Sequence, residues 1–197
     1  MNTKKSQINI NLARAIAGAI GFNPKVYPHY DEDNLNNIDI LECTDPLDQK
    51  NSFFCTIGLS DIPVKILNEE QDFGIEIFIV AKDKNEFASR LLSSCSFFIG
   101  KDNWEARPGA VFNNVISLYN KNIEMKHIYF TEPFLWQDKL KQISSNIKEK
   151  NVLFLLAVPI SESELLYKNK NGDEEFEKLL FLNNDIDLFD FNRKSVI

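Results

Sequence analysis

Two short runs constrain this chain most. Residues 73–81 put Ile75, Ile77 and Ile79 on one side of an extended strand and Phe78 and Val80 on the other, and residues 152–158 are apolar without a break. Side chains of a strand alternate between the faces of its sheet, so a run apolar on both parities belongs to a sheet covered on both sides. Each run is also far shorter than the ~18 residues of a membrane-spanning helix. The expectation is a central strand at 73–81 and a second buried strand at 152–158 that ends at Pro159.

The covering layers are legible as helices. Ser161 and Glu164 form a Ser-x-x-Glu capping box, with Ile160 placed to staple onto Leu165. Gly172 then breaks the helix, and Asp173 is positioned to cap another that turns Phe176, Leu179 and Leu180 inward. Asp83 and Glu86 predict a helix start whose apolar face, Phe87, Leu91, Cys95 and Phe98, runs to Gly100. An N-terminal helix is predicted at about 6–20, from Ile8, Leu12, Ala15 and Ala19 on one face and a stop at Gly21.

Shorter alternating runs at 26–30, 38–43, 53–59 and 126–130 read as further strands, separated by Asp, Asn and Pro. Phe130, Phe134 and Trp136 form an aromatic cluster in an irregular, proline-containing stretch. With no repeat, low-complexity tract or linker, residues 1–197 read as a single α+β domain with a mostly antiparallel, mixed central sheet flanked by helices.

Composition narrows the partners. A hydrophobic fraction of 44% with 16 Phe supports a self-sufficient core. The net charge of −7 disfavours direct nucleic acid binding and anionic membranes, and favours basic proteins. No continuous apolar segment follows Lys4 and Lys5, so no secretory signal is expected. Cys43, Cys55 and Cys95 are odd in number and widely spaced, which fits neither a disulfide framework nor zinc and points to a cytoplasmic location.

Catalytic signals are weak. Gly58-Leu59-Ser60-Asp61 lacks the second glycine of a nucleophile elbow and reads as a turn. The cysteines at 55 and 95 lie on apolar patterns, and His29 and His127 stand alone, outside any zinc spacing. No glycine-rich loop cradles a phosphate, so no cofactor or metal is expected. The chain reads as a binding protein, not an enzyme; a small hydrolase using Ser60 or a cysteine with a histidine is the alternative.

Acidic density remains. Between Lys25 and Lys50 lie seven acids with no Lys or Arg, and residues 173–191 hold seven acids against Lys178 alone. Asp31, Glu32 and Asp33 lack the spacing and distal Glu of a calcium loop. The acids form either a solvated face or a patch that steers a basic partner. On the second reading the candidate contacts are Asp31, Glu32, Asp33, Asp45, Asp48, Asp185, Asp187 and Asp190.

Several segments together resemble the suppressor of fused domain: Thr56-Ile57-Gly58-Leu59-Ser60-Asp61, Glu76-Ile77-Phe78-Ile79-Val80, Pro133-Phe134-Leu135-Trp136 and Val158-Pro159-Ile160-Ser161-Glu162-Ser163-Glu164. Arg107-Pro108-Gly109-Ala110-Val111-Phe112, Asn122-Ile123-Glu124-Met125-Lys126-His127-Ile128 and Arg193-Lys194-Ser195 add to the likeness, which extends from Pro24 to the end. Within that family the chain is similar to the bacterial antitoxin and immunity branch associated with LXG toxins. The resemblance implies an α+β sandwich-like domain that binds protein, here a cognate toxin; the acidic balance of the chain favours a basic, nuclease-like one. Sequestration of a transcriptional regulator, as in animal members, is a further alternative. No catalytic residues carry over.

Overall fold

The two apolar runs lie side by side in the middle of the sheet. The structure, a computed structural model, describes residues 6–45, 49–66, 69–82, 87–147, 150–182 and 187–197. In chain order the elements are α1 (Gln7–Ile20), β1 (Phe22–Tyr30), β2 (Asn37–Thr44), β3 (Asn51–Ile57), β4 (Lys65–Ile66), β5 (Glu69–Glu70), β6 (Gly74–Lys82), α2 (Ala88–Asp102), β7 (Val111–Phe112), β8 (Met125–Thr131), α3 (Gln137–Asn146), β9 (Val152–Ser161), α4 (Glu162–Asn171) and α5 (Asp173–Phe181). Seven strands form one sheet in the order β1-β2-β3-β6-β9-β8-β7, and β4 pairs with β5 apart from it. Every neighbouring pair in the large sheet is antiparallel except β6 and β9. This is the mixed, mostly antiparallel α+β arrangement expected from the sequence.

Each face of the sheet carries its own core. Ile75, Ile77 and Ile79 pack with Leu91, Leu92 and Cys95 of α2. Phe78, Val80, Leu156 and Val158 pack with Leu12 and Ile16 of α1, Leu140 of α3, and Phe176 and Leu180 of α5. The strand alternation read from residues 73–81 thus assigns the two faces correctly.

The central strands are staggered rather than flush. β3 pairs with β6 only from Cys55↔Phe78 to Asn51↔Lys82, and β6 pairs with β9 only from Gly74↔Val152 to Phe78↔Leu156. Beyond that point β9 pairs with β8, from Thr131↔Leu156 to Met125↔Ser161. Pro159 therefore does not end the strand as expected. It lies past the last β6–β9 pair, where one side has no ladder to interrupt, and its carbonyl accepts a 2.8 Å hydrogen bond from Nη2 of Arg193.

Other boundaries move for local reasons. The buried stripe of α1 is Leu12, Ile16 and Ile20, with Ala15 and Ala19 at its flank. Gly21 follows α1 in extended backbone, and a Cβ there would lie 2.3 Å from that of Cys43, so close approach dictates the glycine. α2 continues through Gly100 and stops at Asn103, whose left-handed φ of 54° closes it. Its proposed cap, Asp83 with Glu86, lies outside the described residues. Asp173 is the first residue of α5, not a cap with a side-chain bond, and it pairs with Lys168 at 3.0 Å. The aromatic cluster is dispersed: Phe130 packs on Phe112, Phe134 on Phe181, and Trp136 on Phe53 and Phe78.

The C-terminal segment bridges the diverging ends of the two central strands. Lys82 of β6 donates its N–H to the Phe189 carbonyl at 3.0 Å, while Arg193 reaches Pro159 of β9. The predicted capping box forms, with Ser161 Oγ accepting from Glu164 N–H and Glu164 Oε2 accepting from Ser161 N–H. Glu164 is fully buried and also receives Arg193 through Nη1 at 2.6 Å and Nη2 at 2.9 Å, and Val196 N–H at 3.0 Å. Removing one partner of such a pair strands the other charge away from water. Arg193→Ala is expected to lower unfolding free energy by about 3–5 kcal/mol, read from urea denaturation midpoints at unchanged slope.

Candidate functional site

The stagger leaves part of β9 open. Over Val152 to Leu155 the strand has β6 on one side, but β8 has already turned away at Thr131 through Glu132 and Pro133. A groove of about 600 Å³ occupies the vacated side, with Ile66, Phe73, Leu140 and Leu153 in its lining and Arg107, Glu132 and Lys141 contributing charge. Leu153 is 43% exposed, although every other residue of β9 is buried. A concave apolar surface beside an incompletely paired strand can receive an extended segment, through main-chain bonds and alternate side chains.

The acidic residues separate into two ends of the sheet. Asp31 is buried in the β1–β2 turn, where its carboxylate accepts from Leu35 N–H, Asn36 N–H, Asn36 Nδ2 and Lys101 Nζ at 2.8–3.2 Å. The bond from the Asn36 side chain, then that from Lys101, holds this carboxyl well below the usual carboxylate range. Asp31 thereby anchors the turn to α2, while Glu32 and Asp33 beside it are exposed. At the opposite end, Asp45 is buried and donates its N–H to Asn51, whose strand neighbour Lys82 pairs with exposed Asp187 at 2.9 Å. Half-buried Asp190 accepts from Asn192 N–H at 2.8 Å. Asp48 and Asp185 lie outside the described residues.

The suspected nucleophiles occupy structural positions. Ser60 Oγ donates to Glu76 Oε1 at 2.5 Å, Thr56 Oγ1 donates to Oε2 at 2.5 Å, and the N–H groups of Gly58 and Ser60 complete the set at 2.9 and 3.2 Å. Among the described residues no hydrogen bond joins Ser60 to a histidine or cysteine. Burial raises the Glu76 pKa, and its four donors oppose that rise. The sequence reading missed this residue's role, although a lone acid on the apolar parity of residues 78 and 80 is its signature.

Burial pushes the Cys43 thiol up to about 11 and Cys95 to about 12, far from thiolate reactivity. His29 is half-buried, and its pKa is lowered by burial and then by Arg90. His127 is buried, accepting at Nδ1 from Asn114 N–H at 3.0 Å, with Nε2 3.1 Å from Glu162 Oε2. Among the described residues no group of three or more His, Cys, Asp or Glu is placed to hold a metal ion, and no helix is long and apolar enough to cross a membrane.

The suppressor of fused protein family profile matches residues 34–194. The chain belongs to this family. It is 36% identical to "Immunity protein YqcF" of Bacillus subtilis (strain 168) over 192 residues, 98% of each chain. A suppressor-of-fused homolog from Neisseria gonorrhoeae superposes with a TM-score of 0.63 at 17% identity, covering 96% of this chain and 94% of that one. The crystal structure of the Sufu–Fu complex gives 0.61 at 11% identity, covering 96% and 90%. At such identities these two structures establish the shared fold.

The Glu76 network yields a direct test. An amide cannot accept all four hydrogen bonds, and its own N–H₂ would face donors. Glu76→Gln is expected to destabilise by about 1–3 kcal/mol, measured by chemical denaturation, with a smaller loss for Ser60→Ala.

Proposed function

We propose that this chain is an immunity protein that binds and neutralises a cognate toxin without catalysing a reaction. The observation that carries this reading is the 36% identity over nearly the full length of both chains to a protein named for immunity. The groove along the first half of β9 supplies a place for the toxin: it is apolar, concave and bordered by a strand edge that β8 leaves uncovered. An extended toxin segment lying there would be held out of its own active conformation or would anchor a larger blocking interface.

The finer partner assignment is a basic, nuclease-like domain of an LXG-type toxin, met in the cytoplasm. Support comes from the net charge of −7 and from exposed acids such as Glu32, Asp33 and Asp187. Charge of this kind accelerates encounter more than it holds the complex. Of the acidic candidates, Glu32, Asp33 and Asp187 are the proposed steering contacts; Asp31 acts by holding the turn that presents Glu32 and Asp33. The three unpaired, buried thiols suit a reducing compartment.

Two variants separate the roles against the toxin encoded beside this chain. Leu153→Arg places a charge in the groove and is expected to weaken binding by on the order of tenfold or more, about 1.4 kcal/mol, with little change in stability because the side chain is already exposed. Glu32→Lys with Asp33→Lys is expected to slow association several-fold at low salt and to flatten its salt dependence. Calorimetry and stopped-flow measure these effects. Cells that express the wild-type protein and still die of the toxin would overturn the proposal.

A further inference from the structure

We propose that His127 is a proton-operated latch that fastens the short edge strand β7 and the turn after it to the sheet. β7 makes only two register pairs with β8, Val111↔Tyr129 and Phe112↔Ile128. The next attachment runs through a side chain: Asn114 donates its backbone N–H to Nδ1 of His127 at 3.0 Å. Asn114 holds a left-handed φ of 59°, and the residues following it, Val115 and Ile116, are buried in the α2-side core. One imidazole nitrogen therefore fixes a turn that leads directly into the core.

Both ring nitrogens have assigned roles. Because Nδ1 accepts, the proton of the neutral ring sits on Nε2 and is donated to Glu162 Oε2. A second proton could enter only at Nδ1, where it would face the Asn114 N–H; the bond would become a repulsion between two donors. The ring itself is 1% exposed, so water cannot replace the lost acceptor without the turn moving.

The charged neighbours are Glu162 on α4, which favours the protonated ring, and Lys126 on β8, which disfavours it. The side toward the turn offers a peptide group. Burial outweighs Glu162, so the folded-state pKa lies below the usual 6.5. A histidine lowered in this way contributes stability that is fully present above 6.5 and is lost as pH falls through the folded value.

Arg107 and Pro108, in the groove lining, lead into the other end of β7 and are held apart from the latch, by Gly109 N–H on the Phe130 carbonyl at 2.8 Å and by Phe130 N–H on the Ala110 carbonyl at 2.9 Å. The latch therefore governs the far end of β7 and the turn at Asn114, and it does not depend on the interface proposed above.

The test uses the full chain without a partner, so its outcome is independent of toxin binding. Imidazole ¹⁵N shifts should show the Nε2–H tautomer at pH 7.5. The hydrogen-exchange protection factor of Asn114 N–H, corrected for the intrinsic pH dependence of exchange, should fall at least tenfold across the titration of the ring. In His127→Gln, whose amide can accept from Asn114 and donate to Glu162 but does not titrate, protection should stay level. Glu162→Gln alters an exposed residue and should move the midpoint of the loss to lower pH, which keeps the proposal open to refutation even where His127→Gln folds poorly. An Nδ1–H tautomer, constant Asn114 protection through the ring's titration, an unmoved midpoint in Glu162→Gln, or the same acid loss in a folded His127→Gln would each overturn it.

Discussion

At Phe78 and Leu156 the two central strands exchange neighbours, and most of what is distinctive in this molecule follows from that stagger. β6 has β9 beside its first half and β3 beside its second; β9 has β6 beside its first half and β8 beside its second. Backbone polar groups in a sheet interior need partners. Each vacated half-edge therefore calls for a substitute; side chains and the C-terminal segment of this chain serve three of the four, and the fourth, beside the first half of β9, is left open.

Beside the first half of β6 the substitute is polar side chains. Thr56 Oγ1 accepts from Ile77 N–H at 2.9 Å where a strand would have continued, and Glu76 gathers the turn that follows β3. Gly74 lets that turn sit down, since a Cβ there would meet the Ser60 carbonyl at 2.4 Å. Where β6 and β9 diverge, the substitute is the C-terminal segment, tied to both strands and locked by Arg193 on Glu164. Motifs far apart in sequence thus make single devices: 56–61 acts with 76, and 158–164 acts with 193–195. Both devices centre on a fully buried carboxylate whose bonds are costly to leave unmade.

This division also explains what could be read from the sequence. Apolar density identified both central strands and the face each side chain takes, because parity in a strand is a local property. The capping box at Ser161 was legible for the same reason. The stagger was not, since which half of β9 pairs with β6 depends on neighbours distant in sequence, and Pro159 therefore looked like a strand end. α3 escapes the sequence reading although Leu140, Ile143 and Ile147 repeat at helical spacing, because Pro133 lies just before it and its N-cap, Trp136, offers no side-chain capping signal. The acids at 31 and 45 read as surface charge, yet both are buried, and the hydrogen bonds that Asp31 accepts from its own turn and from Lys101 give it a structural role visible only in the fold. The groove had no local signal at all, being made by residues between Ile66 and Leu155.

The remaining half-edge, beside Val152 to Leu155, is the one that the described residues leave as a groove. Its apolar lining works against solubility unless something covers it for part of the time, and Leu153 keeps 43% exposure on an otherwise buried strand. The other vacancies are closed by groups of this chain, and where β6 and β9 diverge the sheet already accommodates an inserted segment. An extended segment from a partner would repeat, between molecules, what the C-terminal segment does within one. On the proposed reading the acidic surface would have a complementary role: it would bring a basic partner near at long range, while the shape of the groove would decide what stays.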